Sequence, residues 1–147
     1  FNCKILVNDI QDYPDFFKLY SIKNVSIENL VSNSDIISLH LPLNESTKNI
    51  INKEKIKKFK KDSILINYAR GGLIDEDALK ESLLLKNISG AALDVFEIEP
   101  PIKNEFSNMD NVIVTPHIGG STEEAILAMG LAAIKGLENP SNPINYI

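Results

Sequence analysis

The stretch "SILINYARGGLIDEDALKESLLLKNISGAALDVF", residues 63–96, decides the fold. Two short apolar runs at 63–69 and 90–96, each bounded by turn residues, predict two β-strands. Between them, the segment 75–87 begins with Asp75, a candidate helix cap. It has acidic residues in its first turn and a lysine in its last, which predicts a capped α-helix. A strand, a helix and a second strand in this order predict a parallel β-α-β unit.

The same alternation continues on both sides of this unit. Further apolar runs predict strands at 4–8, 35–41 and 111–115, and further segments predict helices at 26–33, 52–61 and 122–137. The apolar runs are nearly continuous, which favours strands that are buried on both faces of a parallel sheet. The last helix is rich in small apolar residues and is expected to pack in a core. We therefore predict an α/β fold built on a doubly wound parallel sheet.

Composition narrows the class of protein. The chain has 147 residues, of which 44% are hydrophobic and 24% charged, and this suits one globular domain with its own core. The sequence contains no apolar run of the roughly 20 residues that a membrane helix needs, and residues 1–9 lack the pattern of a cleavable signal peptide. A single cysteine, Cys3, excludes an internal disulfide and predicts no metal site. We expect a cytoplasmic protein that binds neither membrane nor, with a net charge of −5, nucleic acid.

Polar or conformationally special residues follow the predicted strands. In doubly wound sheets, ligands bind in the crevice outside the carboxyl ends of the strands. The residues that the sequence delivers to this edge are Asp9, His40 with Pro42, Arg70, Asp94 and His117. Each alone could be a cap or a turn residue, but together they predict a binding site at one edge of the sheet.

Two of these residues suggest a ligand with a definite chemistry. Asp9 could accept hydrogen bonds from the ribose hydroxyls of a dinucleotide, or it could simply form a turn. Nothing basic follows Asp9 to neutralise a 2′-phosphate, which favours NAD over NADP. Arg70, followed by Gly71 and Gly72, could grip a substrate carboxylate with its planar fork of donors, or it could pair with a carboxylate of the sheet edge.

A carboxylate and a histidine form the second pattern. Pro100 restricts the backbone of Glu99 to an extended form and so aims its side chain, whereas Glu97 suits a solvated loop. A lone histidine at a strand end is more often structural than catalytic, yet His117 is the side chain best suited to move a proton near neutral pH. A carboxylate bonded to it would hold the ring in one orientation. His40 is interpreted as a packed or backbone-bonded residue.

Four motifs resemble one family. In chain order they are "SDIISLHLPLNESTKNII" at 34–51, "INYARGGLIDEDAL" at 66–79, "GAALDVFEIEPP" at 90–101 and "NVIVTPHIGGSTEEA" at 111–125. Their order and spacing are similar to the signatures of the D-isomer-specific 2-hydroxyacid dehydrogenases. The resemblance runs over essentially the whole chain and implies a Rossmann-like NAD-binding domain.

The resemblance also implies roles for individual residues. Arg70 would bind the carboxylate and carbonyl of the substrate, Glu99 would orient and charge His117, and His117 would exchange a proton with the substrate oxygen. Tyr68 departs from the family, which often has a small residue at that position. The implied cofactor contacts are Asp9, Leu41, Pro42, Tyr68, Ala69, Arg70, Asp94, His117, Ile118, Gly119 and Gly120.

Some parts that the family possesses are not found in this sequence. In the family a strand, a "GxGxxG" phosphate loop and a helix precede the aspartate strand, and neither "ARGG" nor "HIGG" replaces that loop. The resemblance thus divides the chain into a partial NAD-binding domain at 1–138 and a tail at 139–147 that leads toward a substrate domain. We expect these 147 residues alone to bind NAD weakly and not to turn over.

The family contains several activities. The segments "HIGGSTEEA" at 117–125 and "NPSNPINYI" at 139–147 resemble those of enzymes that oxidise 3-phosphoglycerate to 3-phosphohydroxypyruvate in serine biosynthesis, and this reaction is the first expectation. Reduction of glyoxylate or hydroxypyruvate is the alternative, as is another D-2-hydroxyacid dehydrogenase activity. An NAD-sensing, corepressor-like binding module is the alternative from another class. The region of the last helix forms the dimer contact in the family, so a homodimer is also expected.

Overall fold

The computed structural model describes residues 3–101 and 105–138. Its strands are β1 (Leu6–Val7), β2 (Lys23–Asn24), β3 (Ile36–Leu39), β4 (Ile64–Asn67), β5 (Gly90–Leu93) and β6 (Val112–Val114). Its helices are α1 (Pro14–Leu19), α2 (Ile27–Asn33), α3 (Lys53–Ile56), α4 (Glu76–Leu84) and α5 (Glu123–Glu138), with a 3₁₀ turn at Glu105–Asn108. The predicted tail at 139–147 lies outside the described residues and stays a prediction.

Four strands form a parallel sheet in the order β3-β4-β5-β6. The central register places Ile37 beside Leu65, Leu65 beside Ala91 and Ala91 beside Val112. α3 connects β3 to β4, and α4 connects β4 to β5. Each connection crosses over the sheet, as a connection between two parallel neighbouring strands must. The predicted parallel α/β fold is therefore confirmed.

The first predicted strand does not join this sheet. β1 pairs in parallel with β2, which the sequence did not predict because Lys23 and Asn24 form no apolar run. In the common dinucleotide-binding order, 3-2-1-4-5-6, the strand that bears the glycine-rich loop separates two such groups of strands. The residues that the structure describes contain no strand in that position, which accounts for the two separate sheets.

One face of the four-stranded sheet carries the core. Ile37, Leu65 and Leu93 point toward helices α2, α3 and α4 and are almost fully buried. Each buried side chain of this size contributes about 1.5–3 kcal/mol to folding relative to an exposed one. The strand ends that carry the polar residues are thus held on a close-packed layer.

The opposite face of the sheet contradicts the prediction of burial on both faces. Ile36, Ile64 and Ile113 alternate with the core residues and are 62%, 39% and 69% exposed. They are exposed because no helix within the described ranges packs over them, although their apolar character suits a covered face.

Two helices differ from their predicted extents. α3 ends at Ile56 rather than Lys61, because the amides of Lys58 and Phe59 bond three residues back and tighten the chain into a turn. α4 ends at Leu84, and Lys86 has a positive φ of 54°. The predicted cap of α4 is confirmed, since the Asp75 carboxylate accepts from the Ala78 amide at 3.0 Å.

The last helix differs from the prediction in its surroundings. α5 has no buried residue, although its mean composition is apolar, so the expected core packing is wrong for the described structure. Its first turn is capped by the Thr122 hydroxyl, which accepts from the Ala125 amide at 3.1 Å. Across residues 3–101 and 105–138, none of the helices combines the length and the apolar character that crossing a membrane requires.

Candidate active site at the carboxyl edge of the sheet

The four strands of the large sheet end side by side, and each is followed by a polar side chain. His40 follows β3, Tyr68 lies directly after β4, Asp94 after β5 and Thr115 after β6. Since the strands are parallel, these residues share one edge, where ligands of doubly wound sheets bind.

Glu99 and His117 form a hydrogen-bonded pair at this edge. The Glu99 Oε2 atom lies 2.7 Å from His117 Nδ1, and Glu99 Oε1 accepts from the Phe96 amide at 2.9 Å. These two hydrogen bonds, that of His117 first, lower the pKa of the Glu99 carboxyl. A charged carboxylate can only accept, so Nδ1 carries a proton and Nε2 is left to exchange one with a ligand.

The imidazole remains accessible while it is held. The side chain of His117 is 49% exposed and that of Glu99 is 33% exposed. His117 also has a positive φ of 55°, a left-handed conformation that is uncommon outside glycine. Such strain persists only where surrounding contacts fix the backbone, and it is typical of functional sites.

Asp94 provides those contacts. Its buried carboxylate accepts from the amides of Ile118 at 2.9 Å and Gly119 at 2.8 Å, and also from the Thr115 hydroxyl. Burial by itself raises the pKa of Asp94, but the three hydrogen bonds outweigh it and the pKa is lowered. Asp94 therefore fixes the turn on both sides of His117 as a charged carboxylate.

Replacing Asp94 with asparagine should destabilise the fold. The asparagine side chain has an NH₂ group in place of one carboxylate oxygen. This NH₂ would face a group that donates to Asp94 in the wild type, and that buried donor would lose its acceptor. We expect a loss of about 1–3 kcal/mol in the free energy of unfolding, measured by urea denaturation. Asp62→Asn, at an exposed position, is the matched control and should have little effect. Equal stability of both variants would contradict this account of Asp94.

Acid should weaken the Glu99–His117 pair. Because the pKa of Glu99 is lowered in the folded state, its contribution to stability is present above the ordinary value of 4.5. The contribution is lost as the pH falls from there through the lowered folded value. Between pH 6 and pH 3, wild type should lose more unfolding free energy than Glu99→Gln, whereas Glu45→Gln, at an exposed site, should follow wild type. Parallel curves for wild type and Glu99→Gln would exclude the stabilising pair.

Arg70 lies on the same edge, but no hydrogen bond or salt bridge joins it to Glu99 or His117. Its Nη1 donates to the Ala69 carbonyl at 2.6 Å, and the side chain is exposed. Within the described ranges no carboxylate forms a salt bridge with it, which removes the structural alternative of an ion pair at the sheet edge. The guanidinium is free to bind an anion.

Asn67 positions this arginine, and the sequence reasoning missed it. The buried Asn67 side chain accepts from the Ala69 amide at 3.1 Å and donates to the Arg70 carbonyl at 2.9 Å. The sequence feature that could have indicated Asn67 is its position as a polar residue at the end of the apolar run "ILIN". Both bonds hold the turn that presents Arg70.

Tyr68 and His40 form a second pair, which corrects the interpretation of His40 as packed or backbone-bonded. The Tyr68 hydroxyl lies 3.1 Å from His40 Nδ1, and their rings meet edge to face at 5.2 Å. Both side chains are exposed. A Cβ added at Gly119 would lie 3.7 Å from the Tyr68 ring. The phenol therefore borders the loop after His117 and does not turn away from the site.

The remaining predicted contacts lie partly outside this edge, since Asp9 follows β1 in the two-stranded sheet. Asp9 forms the turn that the sequence left open, since its Oδ1 atom accepts from the Gln11 amide at 2.9 Å. Leu41 is partly buried against the core, and Pro42 and Ile118 are exposed. A Cβ added at Gly120 would meet open space. Their contact with a cofactor stays a prediction.

A cleft opens beside the Glu99–His117 pair. Its volume is about 500 Å³, which is within the range of small-molecule sites. Apolar side chains and prolines form most of its wall, and Asp94, Glu99 and His117 are its ionisable groups. The arrangement offers a proton-exchanging imidazole to a small ligand in a largely apolar setting.

Comparison with known proteins identifies this architecture. A family model described as "D-isomer specific 2-hydroxyacid dehydrogenase, NAD binding domain" matches residues 1–119. A hydroxypyruvate reductase of Thermotoga maritima is 47% identical over 117 residues, which cover 78% of this chain and 38% of the relative. A D-3-phosphoglycerate dehydrogenase of Methanocaldococcus jannaschii is 54% identical over 104 residues, or 71% of this chain and 20% of the relative.

A solved structure shares the same fold. The glyoxylate reductase from Paecilomyes thermophila superposes with a TM-score of 0.85 at 34% identity, over 92% of this chain and 41% of that one. The chain thus spans between about a fifth and two fifths of the length of these relatives.

Proposed function

Because the chain belongs to the D-isomer-specific 2-hydroxyacid dehydrogenase family, as its NAD-binding domain, we propose that it carries the proton-transfer site of an oxidoreductase that interconverts a D-2-hydroxy acid and its 2-keto acid. The observation that carries the proposal is the 2.7 Å contact between Glu99 and His117 beside an open cleft. A histidine oriented by a carboxylate is a recurrent general acid and base.

The proposed roles follow from the geometry of each side chain. In reduction, the His117 imidazolium gives its Nε2 proton to the substrate oxygen; in oxidation, neutral His117 takes that proton back. Glu99 keeps the ring in one tautomer and stabilises its positive form. Arg70, which has no carboxylate partner in the described structure, binds the substrate carboxylate through its fork of donors.

The residues of this edge, together with Asp9 after β1, offer groups that fit a nicotinamide dinucleotide. The carboxylate of Asp9 is exposed at the end of β1 and can accept from ribose hydroxyls, and no basic residue lies beside it in the sequence to bind a 2′-phosphate. A Cβ at Gly119 would lie 3.0 Å from Asp94 Oδ2, so a larger residue there would press on the carboxylate that fixes the turn after His117. We propose that Asp9, Leu41, Pro42, Tyr68, Ala69, Arg70, Asp94, His117, Ile118, Gly119 and Gly120 line the NAD site. Bound NAD would supply or accept the hydride.

For the substrate we propose 3-phosphoglycerate, with hydroxypyruvate or glyoxylate as the alternative. The test is an assay of the complete gene product at 340 nm. Oxidation is measured with 3-phosphoglycerate, glycerate and lactate, and reduction with 3-phosphohydroxypyruvate, hydroxypyruvate and glyoxylate. We expect 3-phosphoglycerate and its keto acid to have the highest kcat/KM. A higher value for hydroxypyruvate or glyoxylate would favour the reductases, and tight NADH binding without turnover would favour an NAD-sensing binding module.

The assembly is proposed to be a homodimer that includes α5. Ile126, Leu127 and Leu131 on this helix are 50–62% exposed. Exposed apolar surface of this kind is typical of a protein–protein interface. Light scattering of the complete gene product should give the mass of two subunits. A monomeric mass would contradict the proposal.

A further inference from the structure

One peptide group connects the segment after Arg70 to the loop that carries Glu99. The carbonyl of Phe96 abuts Gly71, where a Cβ would lie only 1.8 Å from the carbonyl oxygen. The amide of Glu97, the other half of the same peptide group, donates to Glu76 Oε1 at 2.7 Å. The Phe96–Glu97 peptide is thus fixed from two sides by residues of the segment 71–76.

This peptide leads directly to the catalytic pair. The preceding amide, of Phe96, donates to Glu99 Oε1 at 2.9 Å, and Glu99 Oε2 lies 2.7 Å from His117 Nδ1. Moving the Phe96–Glu97 peptide would therefore move the donor that orients Glu99. A series of short contacts runs from Glu76 through this peptide and Glu99 to His117.

Glu76 is not needed to start its helix. It is the first residue of α4, where Asp75 already supplies the cap and the exposed Asp77 adds a favourable charge. The Glu76 side chain instead turns to a loop 21 residues away and becomes half-buried. Burial raises the pKa of Glu76, and the neighbouring Glu97, Asp77 and Glu99 carboxylates add to this, although the bond from the Glu97 amide opposes it. Its placement is electrostatically unfavourable, which distinguishes it from an ordinary first-turn acid.

We propose that Glu76 is a positioning residue for the reaction, which acts by holding the Phe96–Glu97 peptide so that Glu99 orients His117. The inference rests on the proposed function of the Glu99–His117 pair and adds a residue to it. What matters in Glu76 is a fixed acceptor oxygen, which glutamine also provides and alanine does not.

The first test is nitrogen NMR of the imidazoles in this chain. The sequence has only two histidines, so His40 serves as an internal reference for His117. In wild type the His117 Nδ1–H resonance should show the hydrogen bond to Glu99. Glu76→Ala should shift or remove this resonance and leave that of His40 unchanged. Glu76→Gln should retain it, and so should the matched control Asp77→Ala.

The second test is turnover of the complete gene product. Misplacing a catalytic group by about 1 Å can cost about a hundredfold in rate. We expect Glu76→Ala to lower kcat by about tenfold to a hundredfold, with the Kd for NADH changed less than about twofold. Glu76→Gln should recover most of the rate.

Three outcomes would overturn the proposal. They are an unchanged His117 resonance in Glu76→Ala, an equal effect of Glu76→Gln and Glu76→Ala, or an equal effect of Asp77→Ala. The resonance is read without turnover, so it separates this inference from the proposed function. If Glu76→Ala moves the His117 resonance while His117 itself proves dispensable for the rate, the positioning contact stands and the proposed function fails.

Discussion

Replacing His117 with asparagine should lower kcat of the complete gene product by about a thousandfold, because general acid–base catalysis contributes about 10²–10⁴-fold. Asparagine can still donate a hydrogen bond to Glu99, which lies 2.7 Å from His117 in the wild type, but it cannot carry a proton to the substrate. The variant isolates proton transfer from the packing of the site. It is measured as NADH consumption at saturating keto acid.

NADH affinity separates catalysis from binding in this experiment. The Kd for NADH should change less than about threefold, since an imidazole and a carboxamide present similar surfaces to the pocket. His40→Asn is the matched control, because His40 is the other histidine of the chain and lies on the same edge. It should slow turnover by less than about tenfold. An undiminished rate in His117→Asn would remove His117 from the mechanism.

Gly71→Ala should be the most destabilising single-methyl change at the site. Alanine in place of glycine ordinarily stabilises by about 0.4–1 kcal/mol through the unfolded chain. Here the added Cβ would lie 1.8 Å from the Phe96 carbonyl oxygen, and backbone must move to admit it. Overpacking of this kind costs about 1–3 kcal/mol or more, so the steric cost should exceed the entropic gain.

Gly120→Ala is the matched control for that substitution. A Cβ at Gly120 meets no heavy atom within 4 Å, so this variant should be neutral or slightly stabilised. Urea unfolding compares the two variants, and the His117 imidazole resonance reports whether the Glu99 loop has shifted. Equal stability of Gly71→Ala and Gly120→Ala would contradict the close approach of the two loops.

The sequence was informative wherever a single chain segment determines the structure. Asp75 capped its helix as predicted, and the apolar runs at 63–69 and 90–96 contain the neighbouring parallel strands β4 and β5. β2 was missed because two polar residues carry no hydrophobic period. Burial on both faces of the sheet was wrong for Ile36 and Ile113, because burial depends on elements that lie elsewhere in space.

In the site, too, features set by one chain segment were predicted, and contacts between distant segments were not. Strand ends and motifs placed Arg70, Glu99 and His117 on one edge, and the structure joined Glu99 to His117. Asn67 bonds to the carbonyl of Arg70, and Glu76 accepts from the amide of Glu97, 21 residues away. Both act through backbone groups, and no spacing in the sequence indicates bonds of this kind. Glu76 in particular has the appearance of an ordinary first-turn acid until its partner, the Glu97 amide, is known.

A double-mutant cycle on kcat/KM tests the central claim that Glu99 and His117 work as a unit. Glu99→Gln, His117→Asn and the double variant are compared with wild type in the complete gene product, with NADH affinity measured for each. If Glu99 acts only through His117, the double variant should be no slower than His117→Asn, to within about threefold. Losses that multiply, so that the double variant is slower by the full product of the two single effects, would contradict the account.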